Sequence, residues 1–492
     1  MSSVSNFNDR VGQLAQAIAA GKLIDDQLQV IDKGWIWKIR CFVLTLLSPL
    51  YSCLGKDPFA HVRVNNVAQS LLKQCKENQV SSELKEKVVN EILNPLAAKT
   101  KGKYNLDIAT IAGSIRSIVQ VSREEKQAVL QAINNCAQQL HRKIAESSAT
   151  SVCFAPLSIA AVLGMVLKAM PDERKQEFLR AMGLENIPEA KVHAATMQIL
   201  DDLVSATGDQ CKIHFANAVA LTPGVGNGIH PSFTETVEGN YRGQIFLMEN
   251  LEVVNKWVAE KTQGKIENFL QAADIPPNLI AILLNAMYFS AKWKDEFGKP
   301  FDAPFTFANG NNIPAKMIYQ QNTYKLYDGG YFRMLEMPYK SPEGHELTHV
   351  IFLPNEARTL SELEGQFTHQ FVNECRKQAV SQEVRVTMPK IDVNVKEDRL
   401  LSMLQEIGLP LRGALPLISQ SAELSKIVHQ AMLKVDEKGS EGAAVTGGLI
   451  SEKSCPAPSQ AFKADHDFAY FIMDKESILF QGNVRDTSAL VH

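Results

Sequence analysis

Residues 437–462, near the C-terminus, are the segment that most constrains what this chain can fold into. The segment reads EKGSEGAAVTGGLISEKSCPAPSQAF and lies between two stretches with clear strand patterns. Positions 439–448 are almost all Gly, Ala, Ser, Thr and Val, and the second half carries one cation, Lys453, before two prolines. Loops longer than about 12–15 residues are uncommon in compact domains and are usually functional or disordered. The segment is therefore either a linker or a working part.

The first half of this segment also has the pattern of a strand. Alternate side chains of an extended chain share a face, so Ser440, Gly442, Ala444 and Thr446 would lie together, all of them small and uncharged. Such a strand could slide between two existing strands and pack over a core. Composition alone does not distinguish such a strand from a flexible Gly/Ala linker.

The composition predicts a soluble globular protein with a large core. Of the 492 residues, 45% are hydrophobic and 21% are charged, which are ordinary values for such proteins. The length fits one large fold with an extension. The net charge of −3 gives no bias toward nucleic acid. Residues 1–123 carry 16 Lys and Arg against 10 Asp and Glu, an excess that a solvated helical face explains best.

The cysteines and the N-terminal region exclude several other classes. The eight cysteines have irregular spacing, with no CxxC and no Cys/His cluster of metal-ligand spacing, which favours free thiols without a metal or other cofactor. The first ten residues lack a signal-peptide pattern. Residues 41–55 form an uncharged run of 15 residues, short of the roughly 20 needed to span a bilayer. A buried helix is favoured there over a membrane-surface anchor.

The hydrophobic periodicity divides the chain into two parts. Residues 1–121 are predicted to form a helical extension whose role the sequence does not indicate. A second domain, residues 122–492, begins at a capping-box pattern formed by Ser122 and Glu125. Helices and strands are mixed there without regular alternation, which predicts an α+β fold on large antiparallel sheets. Strands are predicted at 213–221, 282–289, 347–353, 383–388, 468–473 and 477–484.

Seven motifs follow one another in this second domain. They are FAPLSI (154–159), WVAEKTQGKI (257–266), LLNAMYFSAKW (283–293), LEMPY (335–339) with IFLP (351–354), VTMPKIDV (386–393), LSKIVHQAMLKVDEKGSEGAA (424–444), and FKADHDFAYFI (462–472) with ILFQGNV (478–484). In sequence and in order they resemble the serpin family of protease inhibitors, and seven such matches are far more specific than one.

The resemblance implies a serpin-like fold, with large antiparallel or mixed sheets, about nine helices and an exposed reactive-centre loop. In that family a protease cleaves the loop, the loop inserts into a sheet as a new strand, and the covalently trapped protease is distorted. The scissile residue lies about 16 positions after the hinge glutamate, which implies a reactive bond between Lys453 and Ser454. Lysine suits trypsin-like enzymes; an ordinary solvated lysine is the alternative. The implied hinge residues are Glu437, Gly439, Ser440, Glu441, Gly442, Ala443 and Ala444.

Other residues match the regions that hold the family's sheet closed. Ser158, Asn285 and His429 match the shutter, a buried polar cluster whose members hydrogen-bond to one another. Trp293 matches the tryptophan of the breach, where the loop enters the sheet. Two residues depart from the pattern, Ala155 in place of a second serine and Asp467 in place of a proline. These departures would suit a distant member, including a bacterial one.

Three functions follow from the resemblance. The first is a suicide-substrate inhibitor of trypsin-like serine proteases; the alternatives are a non-inhibitory serpin (carrier, chaperone or protease substrate) and a cross-class inhibitor of cysteine proteases. No nucleophile-elbow or HExxH motif is present, so an enzyme is not expected. The expected partner is a protease in covalent complex, and the protein is expected to be a monomer that binds no nucleic acid. The family implies an extracellular or host-facing site, with the cytoplasm as the alternative.

Overall fold

The computed structural model describes residues 119–491 except 148–149, 223–227, 249, 276–279, 356–357, 421 and 441–458, together with the backbone of β1 (Leu23–Ile24) and β2 (Val30–Ile31). The chain divides into two compact units, Met1–Ser122 and Arg123–His492. In the first unit, β1 and β2 pair antiparallel, whereas the periodicity predicts only helices. Strands of two residues are too short to leave a periodic signal. Most of this unit, including residues 41–55, lies outside the described residues.

Nine α-helices lie in the described part of the second unit. The first begins directly after Ser122, where the capping pattern predicts a helix start. The helices are α1 (Arg123–Ser147), α2 (Pro156–Ala169), α3 (Asp172–Ala181), α4 (Glu189–Ser205), α5 (Pro231–Tyr241), α6 (Leu251–Lys261), α7 (Leu360–Glu364), α8 (His369–Gln378) and α9 (Leu400–Glu406).

The strands predicted from alternation are confirmed, each within three residues of its predicted ends. The longest strand, β8, was not predicted because Pro314 and a polar run at 320–323 interrupt its alternation. The strands are β3 (Cys153–Phe154), β4 (Cys211–Leu221), β5 (Gln244–Leu247), β6 (Ala281–Lys292), β7 (Phe301–Thr306), β8 (Asn312–Asp328), β9 (Phe332–Pro338), β10 (Leu347–Pro354), β11 (Val380–Pro389), β12 (Ile391–Glu397), β13 (Leu424–Val435), β14 (Gly439–Ser440), β15 (Gln460–Lys463), β16 (Phe468–Asp474) and β17 (Ser477–Val484).

These strands form two large sheets. The six-stranded sheet has the order β12-β13-β6-β4-β5, with β14 also paired to β6. The nine-stranded sheet has the order β15-β11-β8-β9-β10-β16-β17-β3, with β7 also paired to β8. In the six-stranded sheet β13 runs parallel to β6, whereas β4 runs antiparallel to β6. The predicted α+β fold with large antiparallel or mixed sheets is confirmed.

The helix α2 lies between the two sheets. Its sequence, PLSIAAVLGMVLKA, is apolar around most of its circumference, and all its residues except Ala160 and Lys168 are buried. A helix that is apolar on every side belongs in an interior. It packs against β6 of one sheet and β17 of the other. Pro156 occupies the first turn, where its missing N–H costs no helical hydrogen bond.

An aromatic cluster fills the core under α7 and α8. Phe352, Phe367 and Phe471 make mutual edge-to-face contacts, with ring centroids 5.2–5.5 Å apart. Edge-to-face geometry brings the positive ring edge of one residue to the negative face of the next. The three rings are fully buried and join β10, β16 and the loop between α7 and α8. They fix the helices to the nine-stranded sheet.

The described residues add three smaller findings. No described helix is long and apolar enough to cross a membrane. Cys136, Cys153, Cys211 and Cys375 are free and buried, as predicted for these four, and burial raises the pKa of each thiol to about 11 or 12. No three His, Cys, Asp or Glu residues in the described ranges are placed to hold a metal ion.

Phe367 offers a direct test of this core. Phe367→Ala should lower the free energy of unfolding by about 3–5 kcal/mol, because it removes a fully buried ring and leaves a cavity. Phe301→Ala is the matched control, since that ring is 43% exposed and its loss should cost far less. Urea unfolding followed by tryptophan fluorescence gives both values. Equal losses for the two variants would contradict the packing described.

Candidate functional site

The candidate site is the seam between β6 and β13 in the six-stranded sheet. The two strands pair in parallel, with Ile427 opposite Leu283 and Leu433 opposite Phe289. Beyond β13 the chain turns back, and Gly439–Ser440 pairs antiparallel with the end of β6, placing Ser440 opposite Ala291. The other edge of Ala291 is already paired with β4. Ser440 therefore lies on the β13 side of β6, at the end of the seam.

The turn that returns the chain to β6 is held by Trp293. The Trp293 indole N–H donates to the carbonyl of Asp436 at 2.8 Å, and its backbone N–H donates to the carbonyl of Lys438 at 3.0 Å. The Asp436 carboxylate in turn accepts from the backbone N–H groups of Lys438 and Gly439. Trp293, predicted at the breach, is thus placed at the base of the hinge turn. Glu437, in the same turn, forms an ion pair with Lys390 at 3.0 Å.

Among the hinge residues that the structure describes, Gly439 is a position where the backbone requires glycine. Its φ of +146° lies in a region that L side chains rarely adopt. A Cβ atom there would lie 2.2 Å from the carbonyl oxygen of Ala291. Any other residue would therefore force the returning chain away from β6.

The first inward-facing hinge residue, Ser440, is already in the sheet. It is fully buried, its hydroxyl lies 3.1 Å from the Tyr339 hydroxyl, and its carbonyl accepts from the Ser290 hydroxyl at 2.7 Å. Tyr339 stacks on Trp293 with ring centroids 4.4 Å apart and contacts His349 Nδ1 at 3.0 Å. The sequence predicts a segment held out of its sheet. The structure differs for Gly439–Ser440, which is already paired in the sheet. Ser440 can be buried there because Tyr339 and Ser290 give it polar partners.

The predicted shutter residues Ser158, Asn285 and His429 meet in one buried cluster, where Asn285 and His429 form a row across three strands together with Asn217, which was not predicted. Asn217 on β4, Asn285 on β6 and His429 on β13 lie directly opposite one another in register. The Asn285 amide donates to the Ser158 hydroxyl at 2.5 Å and to the Asn217 side-chain oxygen at 2.6 Å. His429 Nδ1 contacts the Asn285 side-chain oxygen. The row thus joins β6 to β13 by side chains as well as by main-chain hydrogen bonds.

The shutter histidine is neutral. The backbone N–H of Ala155 donates to His429 Nε2 at 3.1 Å, which leaves the ring proton on Nδ1 to donate to Asn285. Burial lowers the pKa of His429 to about 3. Alanine stands at position 155 where the family usually has a serine. His429 Nε2 still has a hydrogen-bond donor there, because the backbone N–H of Ala155 supplies it.

Three residues of the seam were not predicted from the sequence. Asn217 was detectable in principle, as the one amide in an apolar stretch of β4, but only the strand register places it beside Asn285. Tyr339 and His349 come from the ends of β9 and β10, and no local pattern connects them to the hinge. The buried Nε2 of His349 has no hydrogen-bond partner among the described atoms.

Several predicted positions lie elsewhere. Asp467 lies shortly after β15, the strand that follows the loop. Its carboxylate accepts a hydrogen bond from the Ala308 backbone N–H at 3.3 Å, and burial raises its pKa to about 6. The remaining hinge residues and the reactive bond lie outside the described residues, so their roles stay predictions. They are Glu441, Gly442, Ala443, Ala444, Lys453 and Ser454.

Known proteins share this sequence pattern and architecture. The family model described as serpin (serine protease inhibitor) matches residues 131–487. Human Serpin B9 is 30% identical over 355 residues, which cover 68% of this chain and 92% of that protein. The chain belongs to the serpin family. Bovine leukocyte elastase inhibitor is also 30% identical to this serpin, over 68% of this chain and 93% of that protein.

The fold also occurs in a protein whose name describes binding. The crystal structure of human thyroxine-binding globulin aligns with a TM-score of 0.64 at 22% identity, covering 73% of this chain and 98% of that one. At this identity the likeness concerns the fold alone. Of the proteins compared, one relative is thus named as an inhibitor, and one protein with the same fold is named for the thyroxine that it binds.

The buried histidines predict how stability depends on pH. Burial lowers the pKa of His141, His349 and His429 to about 3, with the charge of Arg485 adding to the effect at His141. Their ordinary pKa is about 6.5, so between these values the unfolded chain binds protons that the folded protein does not. Stability present above about pH 6.5 should fall as the pH drops toward 3.

His429→Gln should reduce the slope of stability against pH by the amount that corresponds to about one bound proton, because Gln does not titrate. The slope follows from urea midpoints measured between pH 7 and pH 4.5. His230→Gln is the control, since His230 is exposed at the start of α5. An unchanged slope in His429→Gln would show that this histidine is protonated equally in both states.

Proposed function

We propose that this serpin is a suicide-substrate inhibitor of trypsin-like serine proteases. In this proposal the protease cleaves between Lys453 and Ser454, and the chain from Gly439 onward inserts between β6 and β13 while the protease is still attached as an acyl-enzyme. Ser440, already paired at the end of the seam, is the observation that carries the proposal. It gives the insertion a starting point.

The length of β6 supports this path. Gly439 and Ser440 pair with Lys292 and Ala291, so continued antiparallel pairing would place residue 450 opposite Ala281, the first residue of β6. Thirteen residues from Ser440 to Lys453, at about 3.3 Å each, would carry the acylated end roughly 40 Å along the sheet. The inserted strand would also replace one parallel pair by two antiparallel pairs, which are slightly more stable per residue.

The polar row accounts for why insertion would wait for cleavage. Separating β13 from β6 breaks the His429–Asn285 hydrogen bond and briefly leaves two buried polar groups without partners, which is costly. The starting state is then held by a barrier rather than by being the most stable arrangement. An uncleaved loop is tethered at both ends, because β15 pairs with β11 in the nine-stranded sheet.

Two alternatives rest on narrower grounds. A non-inhibitory role, as carrier, chaperone or protease substrate, is compatible with the same fold, as thyroxine-binding globulin illustrates. Inhibition of cysteine proteases would use the same insertion with a different target. The small residues at the inward hinge positions and the lysine at 453 favour the first proposal over both. A monomeric state and an extracellular or host-facing location, with the cytoplasm as alternative, remain parts of the proposal.

The first test concerns specificity. Lys453→Ala should slow complex formation with trypsin about 100-fold or more, because its ammonium group would no longer reach an acidic specificity pocket. Lys453→Arg is the control and should retain inhibition. Mass spectrometry of the released C-terminal fragment identifies the cleaved bond. A primary cut at Leu449 or Ile450 would refute the assignment of Lys453.

The second test concerns the domain boundary. A chain that starts at Ser122 should fold and still form an SDS-resistant complex with protease, because every hinge and shutter residue named above lies beyond that point. The full chain, assayed beside it, gives the reference stoichiometry. Loss of solubility or of complex formation would mean that residues 1–121 are required by the serpin domain.

The third test concerns insertion. Because Ser440 is already buried at the end of the seam, Ser440→Arg would place an unpaired cation beside Tyr339 or expel the residue from the sheet, and either effect should block or delay insertion of the residues that follow. The variant should be cleaved fully yet form little covalent complex, and its cleaved form should lack the gain in thermal stability expected of the wild type. Ser459→Arg, the same change at the other end of the loop, should leave inhibition intact. Equal complex formation by Ser440→Arg and the wild type would favour the non-inhibitory alternative.

A further inference from the structure

Three polar side chains that the seam does not use meet at one place on the surface. Ser205 ends α4, His345 lies in the turn between β9 and β10, and Asp474 ends β16. The Ser205 hydroxyl oxygen lies 3.0 Å from His345 Nε2. His345 Nδ1 lies 2.5 Å from the Asp474 carboxylate. These are the contacts of a nucleophile, a base and an orienting acid.

The hydrogen bonds fix the orientation of the histidine. Asp474 accepts from His345 Nδ1 with one oxygen and from the Glu346 backbone N–H, at 2.8 Å, with the other. The His345 carbonyl accepts from the Ser341 hydroxyl at 3.1 Å. With its proton on Nδ1, the ring presents a lone pair on Nε2 toward Ser205. The His345 and Asp474 side chains are 13% and 9% exposed, so their pairing is largely shielded from water.

The serine, by contrast, is open to solvent. Ser205 is exposed at the end of its helix, and its hydroxyl also lies 2.5 Å from the carbonyl of Asp202. The hydroxyl proton therefore has two acceptors within reach, and transfer to His345 requires only rotation about the C–O bond. The open side of the serine is where a substrate carbonyl would approach.

A cleft of about 720 Å³ contains all three residues. It is bounded by the start of α1, the end of α4 and the β16–β17 turn. Three cations (Arg123, Lys126 and Lys475) line it together with the carboxylates of Asp202, Asp474 and Glu476. Lys126 pairs with Asp202, which leaves Arg123 and Lys475 as the cations that could stabilise negative charge developing on a reacting oxygen. The volume suits a small molecule.

We propose that Ser205, His345 and Asp474 form a nucleophilic serine site that reacts with small carboxylic esters. The Ser205 oxygen attacks the ester carbonyl carbon while His345 Nε2 takes the hydroxyl proton. The alcohol then leaves with that proton, and the acyl group stays on Ser205. Water, deprotonated by His345, releases the acid and restores the serine. Asp474 acts as a positioning residue that keeps the Nδ1 proton in place.

A fluorophosphonate tests this site in the full-length protein, because its phosphorus is attacked by the serine oxygen and fluoride leaves. Labelling followed by peptide mass spectrometry should place the adduct on Ser205. Ser205→Ala should abolish the adduct, and His345→Gln should slow labelling at least tenfold. Ser477→Ala is the matched control, since Ser477 lines the same cleft without a histidine partner, and it should label at the wild-type rate.

The role of Asp474 needs its own measurement. Asp474→Asn should slow labelling while the unfolding temperature stays close to that of the wild type; a lower unfolding temperature with unchanged labelling would mean a structural role only. A wild type that takes no label at Ser205, or a His345→Gln variant that labels equally fast, would overturn the proposal. In a parallel assay, hydrolysis of 4-nitrophenyl hydrogen succinate should depend on Ser205. None of these outcomes bears on trapping of a protease, because the seam uses other residues.

Discussion

The parallel contact between β6 and β13 is the constraint on which the rest of this structure depends. The other neighbours of β6 among the described strands, β4 and β14, are antiparallel to it, and the chain that leaves β13 returns at once to the end of the same seam. A row of three buried polar side chains crosses the seam at its middle, with the Ser158 hydroxyl beneath it. The sheet is thus closed by a contact that a single additional strand could replace.

Much of the fold was predictable because its signals are local. Alternating apolar residues predicted the ends of six strands to within three residues. The apolar sequence of α2 indicates a helix that is buried in the interior. The order of the motifs then identified the family, which the matched residues 131–487 confirm. The position of Ser440 could not be predicted, because it depends on Tyr339 and Ser290, which come from distant parts of the chain. Roles assigned to residues 441–458 stay predictions.

The cleft around Ser205 shows a different limit of sequence reasoning. A motif search expects catalytic residues at fixed spacing, and it found none here. Ser205, His345 and Asp474 are separated by more than a hundred positions in each step, and each lies at the end of an element or in a turn. Only the fold brings them together, where the end of α4 meets the β9–β10 turn and the end of β16. A sequence without a catalytic motif can therefore still assemble catalytic geometry.

The helix α6 and the chain after it, residues 251–275, cover part of the six-stranded sheet. The way this cover is attached bears on how the seam would open. Its apolar contacts are made mainly with β4 and β6, and Val428 is the one fully buried residue of β13 in that cluster. Toward β12 and β13 the cover is attached instead through Asp274, which pairs with Lys396 and Lys426. Widening the sheet by one strand, about 4.8 Å, would leave the cover on β6 and strain mostly these ion pairs. The paired side chains are only 11–26% exposed, so dissolved salt screens them weakly, and in the proposed mechanism their separation would add an electrostatic cost to widening the sheet.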